Sequence, residues 1–214
     1  MKRLTTYLTE DFKISHKTNI YNVHPKTQND LKQIIKKITD KYVEQYVDLR
    51  HVDVSEIDDF SNVFQSPRFK DRTIDISTWK MHNATAFVSM FYMCGAKKII
   101  FPETLYCPKV TTMSAMFFSC SYLEEIVNIE NFCVPNVKNI EFIFCSCSKL
   151  TSLDLSKWRL SNIEDAMGAF EGCESLETLN LGNISDEAKQ TIRNSSDVFN
   201  NCKEQIIPSW YYND

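Results

Sequence analysis

Glycine is scarce in this sequence, with only four glycines among 214 residues. A phosphate-binding loop needs several glycines close together, because only glycine lets the backbone approach a phosphate so closely. The G-x-S-x-G, P-loop and H-E-x-x-H motifs do not occur either. The four histidines are scattered, and no pattern places a nucleophile and an orienting group beside one of them. We therefore predict a protein that is not an enzyme and needs neither a cofactor nor a metal.

Long apolar runs are also missing from the sequence. No stretch of about 18 apolar residues occurs, so no membrane-spanning helix is predicted. The first residues, MKRLTTYLTEDFKISHK, lack the apolar core and the small-residue cleavage site of a secretory signal. We expect the protein in the cytoplasm, with its eight cysteines present as free thiols.

Positive charge is scarce outside the first 50 residues. Residues 1–50 hold ten Lys/Arg and six Asp/Glu, a net charge of +4, and residues 51–214 hold fourteen and twenty-two, a net charge of −8. A nucleic-acid-binding surface needs clustered basic residues to neutralise phosphates. The acidic body of this chain therefore argues against a nucleic-acid partner.

A repeat is the strongest positive feature of the sequence. Phenylalanines recur at intervals of 26, 27, 26 and 29 residues, and each is followed three residues later by a cysteine. These pairs are Phe91/Cys94, Phe117/Cys120, Phe144/Cys147, Phe170/Cys173 and Phe199/Cys202. Phe64 is a degenerate first member, with Pro67 at the cysteine position. Such a period is typical of a solenoid built from stacked units.

Each unit combines two periodicities. Thr151 to Ser156 alternates polar and apolar residues, which predicts a half-buried strand. The next apolar sites, from Ile163 to Cys173, are spaced three, three, one and three apart, which predicts a short helix or a single turn. We therefore predict an α/β, leucine-rich-repeat-like solenoid of five to six units of ~26 residues, each a strand plus a short helix, over residues 51–205.

Both ends of the stack have candidate caps. Thr27 and Asp30 form a capping-box pattern before an apolar stripe, which predicts a helix of about four turns within an N-terminal segment, residues 1–50. The stripe contains Leu31, Ile34, Ile35, Ile38 and Tyr42. Residues 206–214 include Ile206, Ile207, Trp210 and Tyr211, which predict a C-terminal cap over the last unit.

The stretch LTSLDLSKWRLSNIEDAMGAFEGC, Leu150 to Cys173, resembles the repeat of the BspA-like leucine-rich-repeat surface proteins, which is also seen in Mycoplasma-type lipoproteins. The resemblance covers roughly residues 51–205 and implies a repeat solenoid that serves in interaction or adhesion. Related repeat proteins occur in gut bacteria and their phages. The resemblance is therefore also compatible with a component of a larger particle, such as a phage virion.

Outward strand positions are the candidate partner-binding residues. They are Asp75, Ser77, Glu125, Ser152, Asp154, Ser156 and Asn180. Stacked strands place such residues in rows on one face, and an acidic, polar row predicts a basic or hydrogen-bonding protein partner. A solvated face without a partner has the same composition. The recurring Asn83, Asn136 and Asn162 are assigned to support of the bends, and the cysteines to the core.

The N-terminal segment contains apolar residues at helical spacing, namely Leu4, Tyr7, Leu8 and Phe12. These residues form either an extra turn packed on the cap helix or a docking segment for an assembly. Three functions follow from these alternatives. The first is a non-enzymatic protein-interaction scaffold, the second a virion component docked by its N-terminal segment, and the third a surface adhesin.

Overall fold

The computed structural model describes residues 23–41, 44–182 and 184–212. Within these ranges the chain winds into a parallel-strand β-solenoid of about five turns, with few helices. The strands are β1 (Tyr46–Asp48), β2 (Thr73–Asp75), β3 (Lys98–Ile100), β4 (Leu105–Tyr106), β5 (Glu125–Val127), β6 (Phe132–Cys133), β7 (Ser152–Asp154) and β8 (Thr178–Asn180). The α-helices are α1 (Gln28–Lys41) and α2 (Asp186–Asn194). Short 3₁₀ turns lie at Pro67–Phe69, Ile129–Asn131, Leu160–Asn162, Glu204–Ile206 and Ser209–Tyr211.

Strands of successive turns pair in register along one side of the solenoid. The order is β1-β2-β3-β5 in one parallel sheet and β7-β8 in a second, while β4 pairs with β6 on another side. Val47, Ile74, Ile99 and Ile126 follow one another at the central strand position, and all four side chains are buried. Because each turn covers the apolar residues of its neighbour, the core is continuous along the stack, as predicted.

The segment that leads to each repeat cysteine is not the predicted short helix. In an α-helix each N–H donates to the carbonyl four residues earlier in the same segment. Here alternate N–H groups donate to the next coil, as Phe91 does to Met116 O at 2.8 Å and Met93 to Phe118 O at 2.8 Å. The N–H groups between them close tight turns, as Cys94 does to Phe91 O at 2.9 Å. Pairing between coils therefore replaces the helix.

This backbone requires left-handed residues at regular places. Positive φ recurs two residues before and two residues after the repeat phenylalanine, at the third position of tight turns. The residues there are Asn62, Ser89, Met93, Ala115, Ser119, Phe142, Ser146, Gly168, Gly172, Asp197 and Asn201. Only two of them are glycine, so the stack holds most of these positions left-handed against the preference of the side chain.

Aromatic rings stack along the axis of the solenoid. The repeat phenylalanines form a ladder with centroid separations between 4.7 and 5.9 Å and interplanar angles of at most 12°. Trp79 and Trp158 are buried, and each indole Nε1–H donates to a carbonyl of the preceding coil, that of Leu49 at 3.0 Å and Ile129 at 2.8 Å. The repeat predicted from the phenylalanines therefore corresponds to a physical ladder.

The repeat cysteines add a second ladder of contacts between coils. Their thiols donate to the carbonyl of the phenylalanine in the preceding coil, from Cys120 to Phe91 at 2.9 Å, Cys147 to Phe117 at 3.1 Å, Cys173 to Phe144 at 3.2 Å and Cys202 to Phe170 at 2.9 Å. Burial raises the pKa of the Cys202 thiol to about 11 and that of Cys173 still further. The cysteines therefore lie in or beside the core as protonated thiols, as small hydrophobic residues do.

Helix α1 lies against the first coil. The predicted capping box is present, since Asp30 N–H donates to Thr27 Oγ1 at 3.1 Å and Thr27 N–H to Asp30 Oδ2 at 3.1 Å. Gln28 Nε2 donates to Ser61 O at 2.7 Å. Tyr42, the last residue of the predicted stripe, lies outside the described residues. Strand β1 begins five residues before the predicted boundary at residue 51.

The C-terminal residues pack on the last coil. Ile206 is buried, and the ring of Tyr211 meets Phe199 edge-on at 4.9 Å. Arg193 of α2 donates to Trp210 O at 3.0 Å, which ties that helix to the end of the chain. These contacts place residues 206–212 over the final coil. In the described ranges no helix combines the length and the apolar character needed to cross a membrane.

Candidate interaction surfaces

The strand face is the outer side of the six strands β1, β2, β3, β5, β7 and β8. The first residue of each strand points outward in one row, and the third residue in a second row. The structure places Glu125 and Ser152 in the first row, and Asp75, Asp154 and Asn180 in the second. Ser77 and Ser156 lie two residues beyond the second row. The predicted residues therefore divide between two sheets, with Asp75 and Glu125 on β1-β2-β3-β5 and Ser152, Asp154 and Asn180 on β7-β8.

The second row of the strand face has a structural role that the sequence analysis missed. Asp75 Oδ1 accepts from Ser77 N–H at 2.9 Å, and Asp154 Oδ1 accepts from Ser156 N–H at 2.9 Å. Asn180 Oδ1 accepts from Gly182 N–H at 3.0 Å. Such bonds hold the bend that follows a strand. These side chains are explained by local backbone support, and their role in partner binding stays a prediction.

Asp75 is not the exposed carboxylate that its outward position predicts, because its neighbours cover it. Only 3% of its surface is exposed. Arg50 Nε lies 3.4 Å from its Oδ2, and the Tyr46 hydroxyl donates to the same oxygen. Burial and this carboxylate raise the pKa of Tyr46 to about 12. Asp48 pairs with the same guanidinium at 2.7 Å, so this end of the strand face is a closed ionic cluster.

The centre of the strand face is not acidic either. The second row carries Ile100 and Val127 there, both partly exposed. In the first row Lys98 Nζ pairs with Glu125 Oε2 at 2.7 Å. The predicted acidic and polar row is therefore restricted to Ser152, Asp154 and their neighbours in β8.

The turn face is the outer side of the segments that contain the repeat phenylalanines, residues 59–66, 86–93, 112–119, 139–146 and 165–172. It carries a row of half-exposed aromatic rings across three coils. The rings of Tyr92 and Phe118 stack at 5.2 Å and 6°, and Phe118 meets Phe142 edge-on at 6.0 Å. Met93 beside them is 54% exposed. The turn face is therefore an apolar patch on the outside of the solenoid.

Glycine in the next coil makes room for one of these rings. A Cβ atom at Gly168 would lie 2.4 Å from the Phe142 ring, so the ring packs over the bare backbone. Glu171 Oε2 lies 3.3 Å from the same Cβ position. Its other oxygen, Oε1, accepts from Asn200 Nδ2 at 3.4 Å, which orients the carboxylate. An aromatic ring and a carboxylate therefore adjoin at this point.

The charge of the turn face has one sign. Its five segments contain Asp59, Glu141, Asp165 and Glu171, and they contain no Lys, Arg or His. Two of these carboxylates also support turns, since Asp59 and Asp165 accept from the N–H two residues on, at 2.8 and 2.9 Å. The segments of the turn face therefore combine partly exposed aromatic rings with negatively charged side chains.

Sequence reasoning missed the turn face because it assigned these segments to helices. Tyr92 and Phe118 each follow a repeat phenylalanine directly, whereas Phe142 precedes one by two residues. Two of the three positions could be recognised in the sequence, because an aromatic residue directly follows the repeat phenylalanine there. No periodicity of the sequence relates the third position to them, since only the stacked turns bring it alongside.

The remaining predictions concern the recurring asparagines, the candidate docking residues and metal binding. Asn83, Asn136 and Asn162 each donate from Nδ2 to a carbonyl of the preceding coil, at 3.1, 2.7 and 2.9 Å, which confirms a structural role. The candidate docking residues Leu4, Tyr7, Leu8 and Phe12 lie outside the described residues. Among the residues that are described, no group of three or more His, Cys, Asp or Glu side chains is arranged to hold a metal ion.

A cleft of about 320 Å³ lies between α1 and the first coil, and it is lined by basic, polar and apolar side chains. Two of its cations already have partners within the chain. Arg68 pairs with Asp40 at 2.6 Å, and Lys32 Nζ donates to Gln28 Oε1 at 3.2 Å. These contacts join the helix to the stack, so the cleft is explained by the packing of α1.

The chain is a repeat solenoid, because its strands stack in register and its repeat phenylalanines and cysteines form ladders. Helix α1 and residues 206–212 pack on the first and last coils. The family model described as "Mycoplasma protein of unknown function, DUF285" matches residues 29–98 and 97–210. The chain therefore belongs to this family of Mycoplasma-type repeat proteins. No curated protein and no solved structure matches it.

Proposed function

We propose that this protein is a non-enzymatic interaction scaffold that binds other proteins through its turn face. The observation that carries the proposal is the row formed by Tyr92, Phe118 and Phe142, with Met93 beside it. Contiguous apolar patches on soluble proteins are often functional, and aromatic residues and Met are enriched at protein interfaces. Repeat solenoids supply extended surfaces of this kind.

The strand face is the competing surface. Ser152 and Asp154 are exposed there, with Thr178 and Asn180 beside them. Thr178 Oγ1 already donates to Ser152 Oγ at 2.8 Å, and Asp154 and Asn180 hold bends. Since hydrogen bonds within the chain account for these groups, we favour the turn face.

Two further parts of the proposal concern the relatives of the chain and its compartment. The resemblance of residues 150–173 to BspA-like leucine-rich repeats supports an interaction role, and we extend that relationship to this chain as part of the proposal. Cysteines that donate hydrogen bonds as thiols support a reducing compartment, and we propose the cytoplasm. The virion and adhesin alternatives stay predictions.

Selection from a random displayed peptide library, with the full chain as bait, tests the proposal. The selected peptides are then measured against Tyr92→Ser/Phe118→Ser, which removes the aromatic stack, and against Glu125→Gln/Asp154→Asn, which alters the strand face. We expect the first variant to lose binding and the second to retain it, with unchanged circular dichroism for both. Binding lost only in the strand-face variant, or no selected peptide at all, would contradict the proposal.

A further inference from the structure

The charge of the turn face identifies the class of partner that it fits. Aromatic rings attract cations at their faces, and carboxylates pair with them. The five segments of the turn face offer both kinds of group, and none of their residues is basic. A partner that brings only apolar side chains leaves the carboxylates unpaired, and an acidic partner is repelled.

An aromatic ring and a carboxylate adjoin near Gly168. The Phe142 ring and Glu171 Oε2 both lie within 3.3 Å of the position that a Cβ would take there. A guanidinium over the ring is therefore placed beside the carboxylate, so the two attractions add. Arginine suits such a place better than lysine. Its planar guanidinium stacks on an aromatic ring and can still donate hydrogen bonds to a carboxylate that lies in the guanidinium plane.

The chain itself pairs cations with an aromatic ring elsewhere. Lys70 Nζ lies 5.0 Å from the centre of the Tyr122 ring, and Lys149 Nζ lies 5.2 Å from it. Tyr122 is therefore approached by cations of its own chain. The rings of the turn face have no Lys or Arg within the five segments that form it. A cation from another molecule would complete the same arrangement.

We propose that the turn face binds a basic segment of another protein, in which apolar side chains occupy one half and arginines the other. This inference rests on the proposed function and adds the chemistry of the partner. From Tyr92 to Glu171 the turn face spans four coils, roughly 14 Å at the usual strand spacing. An extended segment of about four to five residues covers that length. Its apolar side chains pack on Tyr92 and Phe118, and its arginines lie between Phe142 and the carboxylates of Glu141 and Glu171.

The test uses labelled peptides of roughly eight residues, measured by fluorescence anisotropy against the full chain. One peptide has Leu in one half and Arg in the other, a second has Glu in place of Arg, and a third has Ser in place of Leu. We expect the Arg/Leu peptide to bind at least about tenfold more tightly than the other two, and added salt to weaken it.

Matched variants separate the surface from the net charge of the chain. Glu141→Gln/Glu171→Gln and Glu125→Gln/Asp154→Asn each remove two negative charges, the first pair from the turn face and the second from the strand face. We expect about a tenfold loss of affinity for the first and little change for the second. Equal losses, or equal binding of the Glu/Leu peptide, would overturn the inference. So would an Arg/Leu peptide that does not bind.

Failure of this inference is distinguishable from failure of the scaffold proposal. The random library contains peptides of every composition, so it reports binding at the turn face whatever the chemistry of the partner. Selected peptides without Arg or Lys that still need Tyr92 and Phe118 would sustain the scaffold and refute the basic partner. An empty selection would refute both.

Discussion

The close spacing between coils at Gly182 leads to a prediction about the stability of alanine variants. Gly182 has a φ of +64°, and a Cβ atom there would lie 2.4 Å from Ser156 O and 2.8 Å from Ser156 Cα. Gly172 has a φ of +70°, but its nearest neighbour would be Ser146 Cα at 3.5 Å, an ordinary contact. The two glycines therefore need the same backbone conformation and differ in the room available between coils.

Substitution by alanine separates these two effects. Gly172→Ala incurs about 1–2 kcal/mol for a left-handed residue, partly offset by about 0.4–1 kcal/mol from the restricted unfolded chain. Gly182→Ala has the same net cost for a left-handed alanine, and it must also push β8 away from the backbone of Ser156. That displacement strains the hydrogen bond from Leu155 N–H to Asn180 O, now 2.7 Å, and overpacking of this kind costs about 1–3 kcal/mol.

We therefore expect Gly182→Ala to destabilise the protein by about 1–3 kcal/mol more than Gly172→Ala. Urea unfolding followed by circular dichroism measures the global difference. Tryptophan fluorescence, from Trp158 in the adjoining coil and Trp210 at the C-terminal end, detects local opening of the last coil. Because the clash is with backbone atoms, Ser156→Gly should not relieve it. Equal unfolding free energies for the two alanine variants would refute the reasoning.

Three other predictions concern the contacts that join coils and hold bends. Trp158→Phe leaves the buried Ile129 carbonyl without its indole donor and should lower the free energy of unfolding by about 2 kcal/mol, more than Trp210→Phe at the partly exposed end. Burial raises the pKa of Cys107 from 9.0 to about 12. The unfolded thiol ionises first, so the unfolding free energy should fall between these pH values, by at most about 1.4 kcal/mol per pH unit. Urea unfolding in reductant at several pH values should show a smaller fall of the unfolding free energy per pH unit for Cys107→Ala. An unchanged pH dependence would contradict the raised pKa of Cys107. Asp154→Ala should lose about 1 kcal/mol because Ser156 N–H loses its acceptor, whereas Asp154→Asn should not; thermal unfolding of both variants checks this.

The sequence by itself determined the stacking of the chain. The interval between Phe91 and Phe117, matched by that between Cys94 and Cys120, specifies a repeat that buries its apolar residues only against a neighbour. The capping box at Thr27 and Asp30 is a local interaction, so it specified the start of α1 without knowledge of the rest of the fold. Such features are readable because their partners lie nearby or at a fixed period.

Only the tertiary structure decided what the repeat segments become. Apolar residues three and four apart fit one face of a helix, and they fit consecutive tight turns equally well. Bonds between coils, such as Phe91 N–H to Met116 O, selected the turns and held Ala115 and Phe142 left-handed. Those bonds join residues a full repeat apart, so no local preference specified them.

The tertiary structure also decided the two faces. Asp75 alternates with apolar residues as an exposed strand residue does, but Arg50 and Tyr46 from the preceding coil cover it. Phe142 reaches the aromatic row because Gly168 of the following coil leaves space beneath its ring. In both cases the exposure of a side chain depends on a neighbour that only stacking places beside it.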